Sequence, residues 1–289
     1  MKFLTLPTAL LTSILLVACN QNQAPSNAGN ANTATTQTTE TQPAETNTQV
    51  APDPSLPTYT ALTDVPYPPF EFKAEDGTVT GMEIEIFNAI AKDQGFNVQY
   101  APHAWEGIFK SLNDNEPQFV ISTVTMTDEA KENALLSEPY YFSPYRVVAL
   151  DQTKLDTWNT LKVGISASED SADDLPDRFN VSTGNIKSYP TVFFALSGMI
   201  RGEVDVVVAD STVLLYTMNG DAAKDFKDKF VSKTLDATDS SKLVFAIDKG
   251  HPELLEKVNA GLKKLKESGE LDAILAKYGQ TDASTHIAQ

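Results

Sequence analysis

Past residue 57 the chain alternates two hydrophobic patterns. Short apolar runs recur at Tyr59–Leu62, Asn97–Tyr100, Phe119–Ile121, Tyr145–Leu150, Lys162–Ile165, Asn185–Tyr189, Val204–Val208 and Leu243–Ile247, each of strand length. Between them apolar residues return every three or four positions, the spacing that lines one face of a helix. This predicts helices over Glu83–Gln94, with Ile86, Phe87, Ile90 and Ala91 inward, and over Trp105–Leu112, with Ile108, Phe109 and Leu112 inward. Ser166–Asp174 reads as a polar loop and short helix, and Pro190 opens a helix carrying Phe193, Phe194, Leu196, Met199 and Ile200. Others are predicted from Asp210-Ser211 onward, over His251–Lys266 and over Gly269–Tyr278. Gly95 and Gly202 stop their helices. Strands alternating with helices make this an α/β chain.

Three stretches carry candidate chemistry. Phe119-Val120-Ile121 gives way at Ser122 to four hydroxyl residues, Ser122, Thr123, Thr125 and Thr127, set around Val124 and Met126. Thr127 suits an N-cap, with Asp128 and Glu129 at the positive end of the next helix. A strand running out into a hydroxyl-lined loop and a helix N-terminus is where open α/β sheets bind small ligands. The same residues also make an ordinary β–α turn. The second stretch, Thr63 to Phe72, follows the first strand, and its prolines force extended or turn geometry that displays aromatics at the strand's end. Phe70 in this turn is expected to face the core. In the third, Asp210 ends a continuous apolar strand and stands as the N-cap of the following helix. His103 has no second His or Cys at ligand spacing, so no metal site is expected.

In order and spacing these motifs resemble the amino-acid type of solute-binding proteins that serve ABC importers. The family's strand, Ser/Thr loop, T-x-x-R and F-S-x-P-Y layout is echoed by Ser122–Ala130 and Leu136-Ser137-Glu138-Pro139-Tyr140. Its opening motif is echoed by Asp64, Tyr67, Pro68-Pro69-Phe70, the Glu75-Asp76-Gly77 turn and Gly81-Met82-Glu83-Ile84-Glu85, where Glu85 replaces the usual Asp. Gly202–Asp210 and the C-terminal pattern ending at Gly279 match as well, so the resemblance covers roughly Tyr59 to Gly279. It implies a two-lobed periplasmic-binding-protein (Venus-flytrap) fold of type II, with two hinge strands near Val147–Asp151 and Ser240–Val244. Lobe 1 would comprise residues 58–148 and 244–280, lobe 2 residues 149–243, and 281–289 a tail.

The resemblance also implies a site between the lobes. Tyr67 and Trp105 would cover the ligand, Asp64 would pair with a cationic side chain, and Thr123 and Thr125 would line the lobe-1 loop. Asp210 would take the ligand's ammonium group, and Asp170 would face it from the second lobe. No catalytic residue and no cofactor is expected. One departure is serious. Where the family places the arginine that grips an α-carboxylate, this chain has Ala130, and Ser168-Glu169-Asp170 puts acids where donors are expected. Lys131 is turned about 100° away on a helix, and Arg146 is the other cation within lobe-1 reach. These residues predict weak binding of ordinary zwitterions and a preference for a cationic or carboxylate-masked ligand.

The ends of the chain add a setting. Lys2, the apolar Leu10–Val17 and Leu16-Val17-Ala18-Cys19 have the form of a secretory signal, and the last four residues resemble a lipobox. Residues 1–18 would be removed and Cys19 lipidated, placing the protein outside the cytoplasm on a bacterial membrane. Residues 19–57 are rich in Gln, Asn, Thr, Ala and Pro and predict a disordered tether, with a mean reach of about 35 Å. Cys19 is the sole cysteine, so no internal disulfide forms. The formal net charge of −17 argues against nucleic acid and anionic membrane surfaces as partners. The expected partners are a small amine-bearing solute and an ABC permease, with the protein a monomer. Two alternatives stay open: a cyclohexadienyl-dehydratase-like enzyme on the same fold, for which Glu169 and Asp170 would be the carboxylates, and a receptor-like lipoprotein without a transport role.

Overall fold

Every apolar run of the sequence becomes a strand, and the strands sort into two sheets. The structure is a computed structural model describing residues 52–114, 118–167, 171–220, 223–235 and 241–280. The first lobe contains β1 (Thr58–Thr63), the hairpin β2 (Phe72–Lys73) and β3 (Val79–Thr80), α1 (Met82–Gln94), β4 (Asn97–Pro102), α2 (Ile108–Asp114), β5 (Phe119–Thr125), α3 (Asp128–Asn133), β6 (Leu135–Leu136) and β7 (Tyr141–Phe142). The chain then builds the second lobe with β8 (Tyr145–Ala149), β9 (Val163–Ser166), α4 (Ser171–Phe179), β10 (Ile186–Tyr189), α5 (Val192–Ile200), β11 (Val206–Asp210), α6 (Ser211–Asn219) and β12 (Val231–Thr234). It returns to the first with β13 (Lys242–Ile247), α7 (Pro252–Ser268) and α8 (Glu270–Lys277).

In the first sheet the order is β4-β1-β5-β13-β6, with β7 also pairing to β13. β1 lies parallel to β4 and β5, whereas β13 runs antiparallel to β5. The second sheet has the order β10-β9-β11-β8-β12, in which β8 alone runs against the other strands. This is the α/β, two-lobed architecture implied by the motifs. Phe87, Phe119, Phe245 and Tyr140 form the centre of the first core, with Tyr140 stacked on Phe245 at 4.4 Å between ring centroids. Glu85 is tied to the C-terminal helices by Lys277 Nζ at 2.5 Å and Tyr278 Oη at 2.6 Å, which gives the longer acid at this position a structural task.

Four details differ from the sequence expectations. β5 runs on through the hydroxyl residues to Thr125 because Val124 and Thr125 pair with Val244 and Leu243 of β13. α2 starts at Ile108 rather than Trp105, since Gly107 takes a left-handed φ of 79° and Trp105 is drawn into the preceding turn. Thr191, not Pro190, caps α5, and Phe193 and Phe194 on it are 42% and 49% exposed while Val192, Ala195 and Met199 face inward. β8 belongs wholly to the second sheet, so the chain leaves lobe 1 at Ser143–Pro144, earlier than the expected boundary at 148. There the outgoing and returning segments are joined, Ser143 N donating to Ser241 O at 2.8 Å.

Candidate functional site

Two groups of the predicted residues assemble, one in each lobe. In the first, β1 ends at Thr63 and delivers Asp64, whose Oδ2 accepts from Trp105 N at 3.1 Å and whose N donates to Ser122 Oγ at 3.0 Å. The loop after β1, the turn before α2 and the middle of β5 are thus linked through one residue, by its carboxylate to Trp105 and its backbone N–H to Ser122. Burial raises the Asp64 carboxyl, opposed by the Trp105 N–H and by His103 nearby. Trp105 is half-buried, edge-on to Phe109 at 5.9 Å. Thr123 carries a left-handed φ of 47°, a strained conformation for a β-branched residue. Thr125 stands at the end of β5, partly exposed and paired with Leu243.

Tyr67 departs from the display expected of it. It is only 8% exposed and stacks on Phe70 at 6.1 Å and 17° between ring planes, while its backbone bridges Glu71. Phe70 is fully buried, as the sequence indicated. In the second lobe Asp210 does cap α6, its Oδ1 accepting from Thr212 N at 2.8 Å and Val213 N at 3.1 Å. Desolvation pushes its carboxyl up to about 6 against the pull of Ser143 and these two amides. The Thr212 N–H is shared with Ser143 Oγ at 3.3 Å, and Thr212 Oγ1 lies 3.1 Å from Tyr141 Oη. The lobe-2 acid is therefore connected to the crossing segment. Asp170 and Cys19 lie outside the described residues.

The cations considered for a ligand carboxylate are otherwise engaged. Ala130 is 1% exposed within the cluster of Leu62, Val120 and Val124, and its amide is capped by Thr127 Oγ1 at 3.2 Å. Lys131 is exposed and pairs with Asp128 at 3.7 Å. Arg146 reaches β12, donating from Nη1 to Ser232 Oγ at 3.2 Å and from Nη2 to Thr234 Oγ1 at 2.8 Å.

Sequence reasoning missed an acid pair beneath the lobe-1 group. Glu71 and Glu83 are fully buried. Glu71 Oε1 accepts from Ser122 Oγ at 2.9 Å, and Glu83 Oε2 accepts from Thr123 N at 2.8 Å. Desolvation and the neighbouring Glu83 hold Glu71 well above the usual carboxylate range. Desolvation lifts Glu83 to about 7 against the Thr123 N–H and the adjacent Tyr140 and Glu71. The Glu71 and Glu83 carboxyls and the Tyr140 hydroxyl act on one another inside this buried cluster. The available signal was an acid flanked by large apolar residues, Phe70-Glu71-Phe72 and Met82-Glu83-Ile84, which instead reads as strand alternation and a helix's acidic first turn.

Over residues 59–281 the sequence matches the family of bacterial extracellular solute-binding proteins, family 3. The chain belongs to this family. The solute-binding protein is 28% identical over 224 residues to a probable histidine-binding protein of Neisseria gonorrhoeae, covering 76% of this chain and 82% of the relative. An ancestral arginine-binding protein, solved bound to glutamine, is similar at 28% identity with a TM-score of 0.65, over 77% of this chain and 98% of the other. An ancestral amino-acid-binding protein that is a precursor of cyclohexadienyl dehydratase is similar at 30% identity and a TM-score of 0.64, over 76% and 95% of the two chains. Both structural likenesses extend across the two lobes, in agreement with the type of fold.

Proposed function

We propose that this solute-binding protein captures a cationic, amine-bearing solute between its lobes and delivers it to an ABC permease, as a lipid-anchored monomer on the outer side of a bacterial membrane. The observation that carries the ligand class is the placement of charge. Asp64 and Asp210 sit at the ends of β1 and β11 with no cation among their hydrogen-bond partners in the described residues, while Ala130 is packed into the core where a carboxylate-binding arginine would stand. Relatives named for histidine and arginine support a basic ligand. In this reading Asp64 takes the distal cation, Trp105 flanks the ligand's apolar stem, and Thr123 and Thr125 offer hydroxyls. Asp210 takes the amine, and Asp170 adds negative charge from lobe 2. The site binds without turning its ligand over, as the names of the relatives support. The dehydratase reading has one observation in its favour, the likeness to that enzyme's precursor, itself an amino-acid-binding protein.

The test is a calorimetric titration of the mature head with L-arginine and with its carboxyl-amidated form. The amide should bind at least as tightly as the free amino acid. Micromolar binding of free arginine that amidation abolishes would show a working carboxylate site and overturn the ligand class.

A further inference from the structure

We propose that Glu71 and Glu83, which lie beneath the site, are positioning residues that lock Asp64, Ser122 and Thr123 into the ligand-binding arrangement. This rests on the reading above, in which Asp64 and Thr123 meet the ligand. The connections run through single atoms. The Asp64 N–H donates to Ser122 Oγ, and that hydroxyl, its lone pair occupied, turns its own proton to Glu71 Oε1. One residue on, Glu83 Oε2 takes the Thr123 N–H, the contact that holds a threonine at φ 47°. A β-branched residue pays for that conformation and keeps it only where its surroundings over-determine it. Glu71 comes from the turn before β2 and Glu83 from the first turn of α1, so three separated segments converge on this acid pair.

Two fully buried carboxyls that act on one another cannot both ionise in a dry site, so the pair retains a proton over much of the neutral range. The titratable and charged groups that act on the pair or lie against it are Asp64 from the loop after β1, Tyr100 from β4, and Tyr140 ahead of β7; Asp210 of the second lobe acts on Tyr140 in turn. None of these supplies a positive charge. Raising the pH through about 7, where Glu83 titrates, places a buried negative charge in a cluster to which none of these groups brings a cation. The relief available is for a loop to open and admit water. The lock is therefore complete at mildly acid to neutral pH and loosens above it.

Hydrogen–deuterium exchange of the segment containing Thr123, corrected for intrinsic rates, tests this without any ligand. In the unaltered protein protection should fall at least tenfold between pH 6 and pH 9. Glu83→Gln, which keeps an acceptor for Thr123 N and needs no shared proton, should hold its protection across that range. Glu83→Ala should lose protection at both ends, and its Kd for L-arginine should rise at least tenfold, with Glu83→Gln restoring it to within about threefold. Wild-type protection and affinity in Glu83→Ala, or a pH response in the unaltered protein no steeper than that of Glu83→Gln, would overturn the proposal. If Glu83→Ala does not fold, the comparison of wild type with Glu83→Gln decides alone. If L-arginine binds none of the variants, the ligand class has failed, and the exchange result still decides the lock.

Discussion

At the residue scale Asp210 performs two tasks that a single substitution separates. Its Oδ1 caps α6, and its charge is proposed to hold the ligand amine. Asn caps a helix about as well as Asp, so Asp210→Asn should fold with little loss of stability. Losing a charge-assisted hydrogen bond of roughly 1.5–3 kcal/mol should weaken L-arginine binding by about tenfold to over a hundredfold, as titration calorimetry will measure. The carboxyl's elevation to about 6 adds a pH dependence. An acid whose folded pKa is raised favours the folded state most while protonated, so its contribution to the unliganded protein is full below about 3.8 and declines as pH rises through about 6. A bound cation needs the ionised form. Affinity should thus be about tenfold lower at pH 5 than at pH 7, and Asp210→Asn should flatten that slope.

At the element scale the start of α1 sets how the acid pair is presented. Gly81 holds a φ of 135°, and a Cβ there would collide with the carbonyl of Phe70. Gly81→Ala should cost about 3 kcal/mol, from backbone strain and overpacking together, seen as a lower urea midpoint at an unchanged slope. The elements themselves were legible in the sequence because their periods were clean. α1, from Met82 to the glycine stop at Gly95, follows its apolar stripe, and β9, β11 and β13 follow their apolar runs. What the pattern could not supply was tertiary context. The hydroxyl run after Ile121 reads as a loop from its Ser and Thr content, yet β13 recruits it into the sheet. Tyr67 looks displayed from its prolines, but it finds Phe70 to stack on. Glu71 and Glu83 were invisible because an acid's burial is decided by the neighbours that fold over it, not by its own stretch of sequence.

At the scale of the whole molecule, the proposed tether and anchor define where the two lobes work. Cys19→Ala should move the protein from the membrane to the soluble exported fraction, or leave the precursor uncleaved, in a fractionation followed by immunoblot. An unchanged membrane-bound mature form would remove the anchor from the proposal. No helix among the described residues is long and apolar enough to cross a membrane. The way the chain threads the two lobes carries a further consequence. β13 is wedged between β5 and β6, although it is made only after all of lobe 2. During synthesis and export the second sheet has all its strands once β12 has emerged, and it can close on local partners. The first sheet meanwhile keeps an open edge along Phe119–Thr125, apolar and ready to pair with any passing strand. Its completion awaits a closure of high sequence separation, a slow step for any chain. The half of the protein that emerges first is the half that finishes last, and the window between is when a chaperone would matter most.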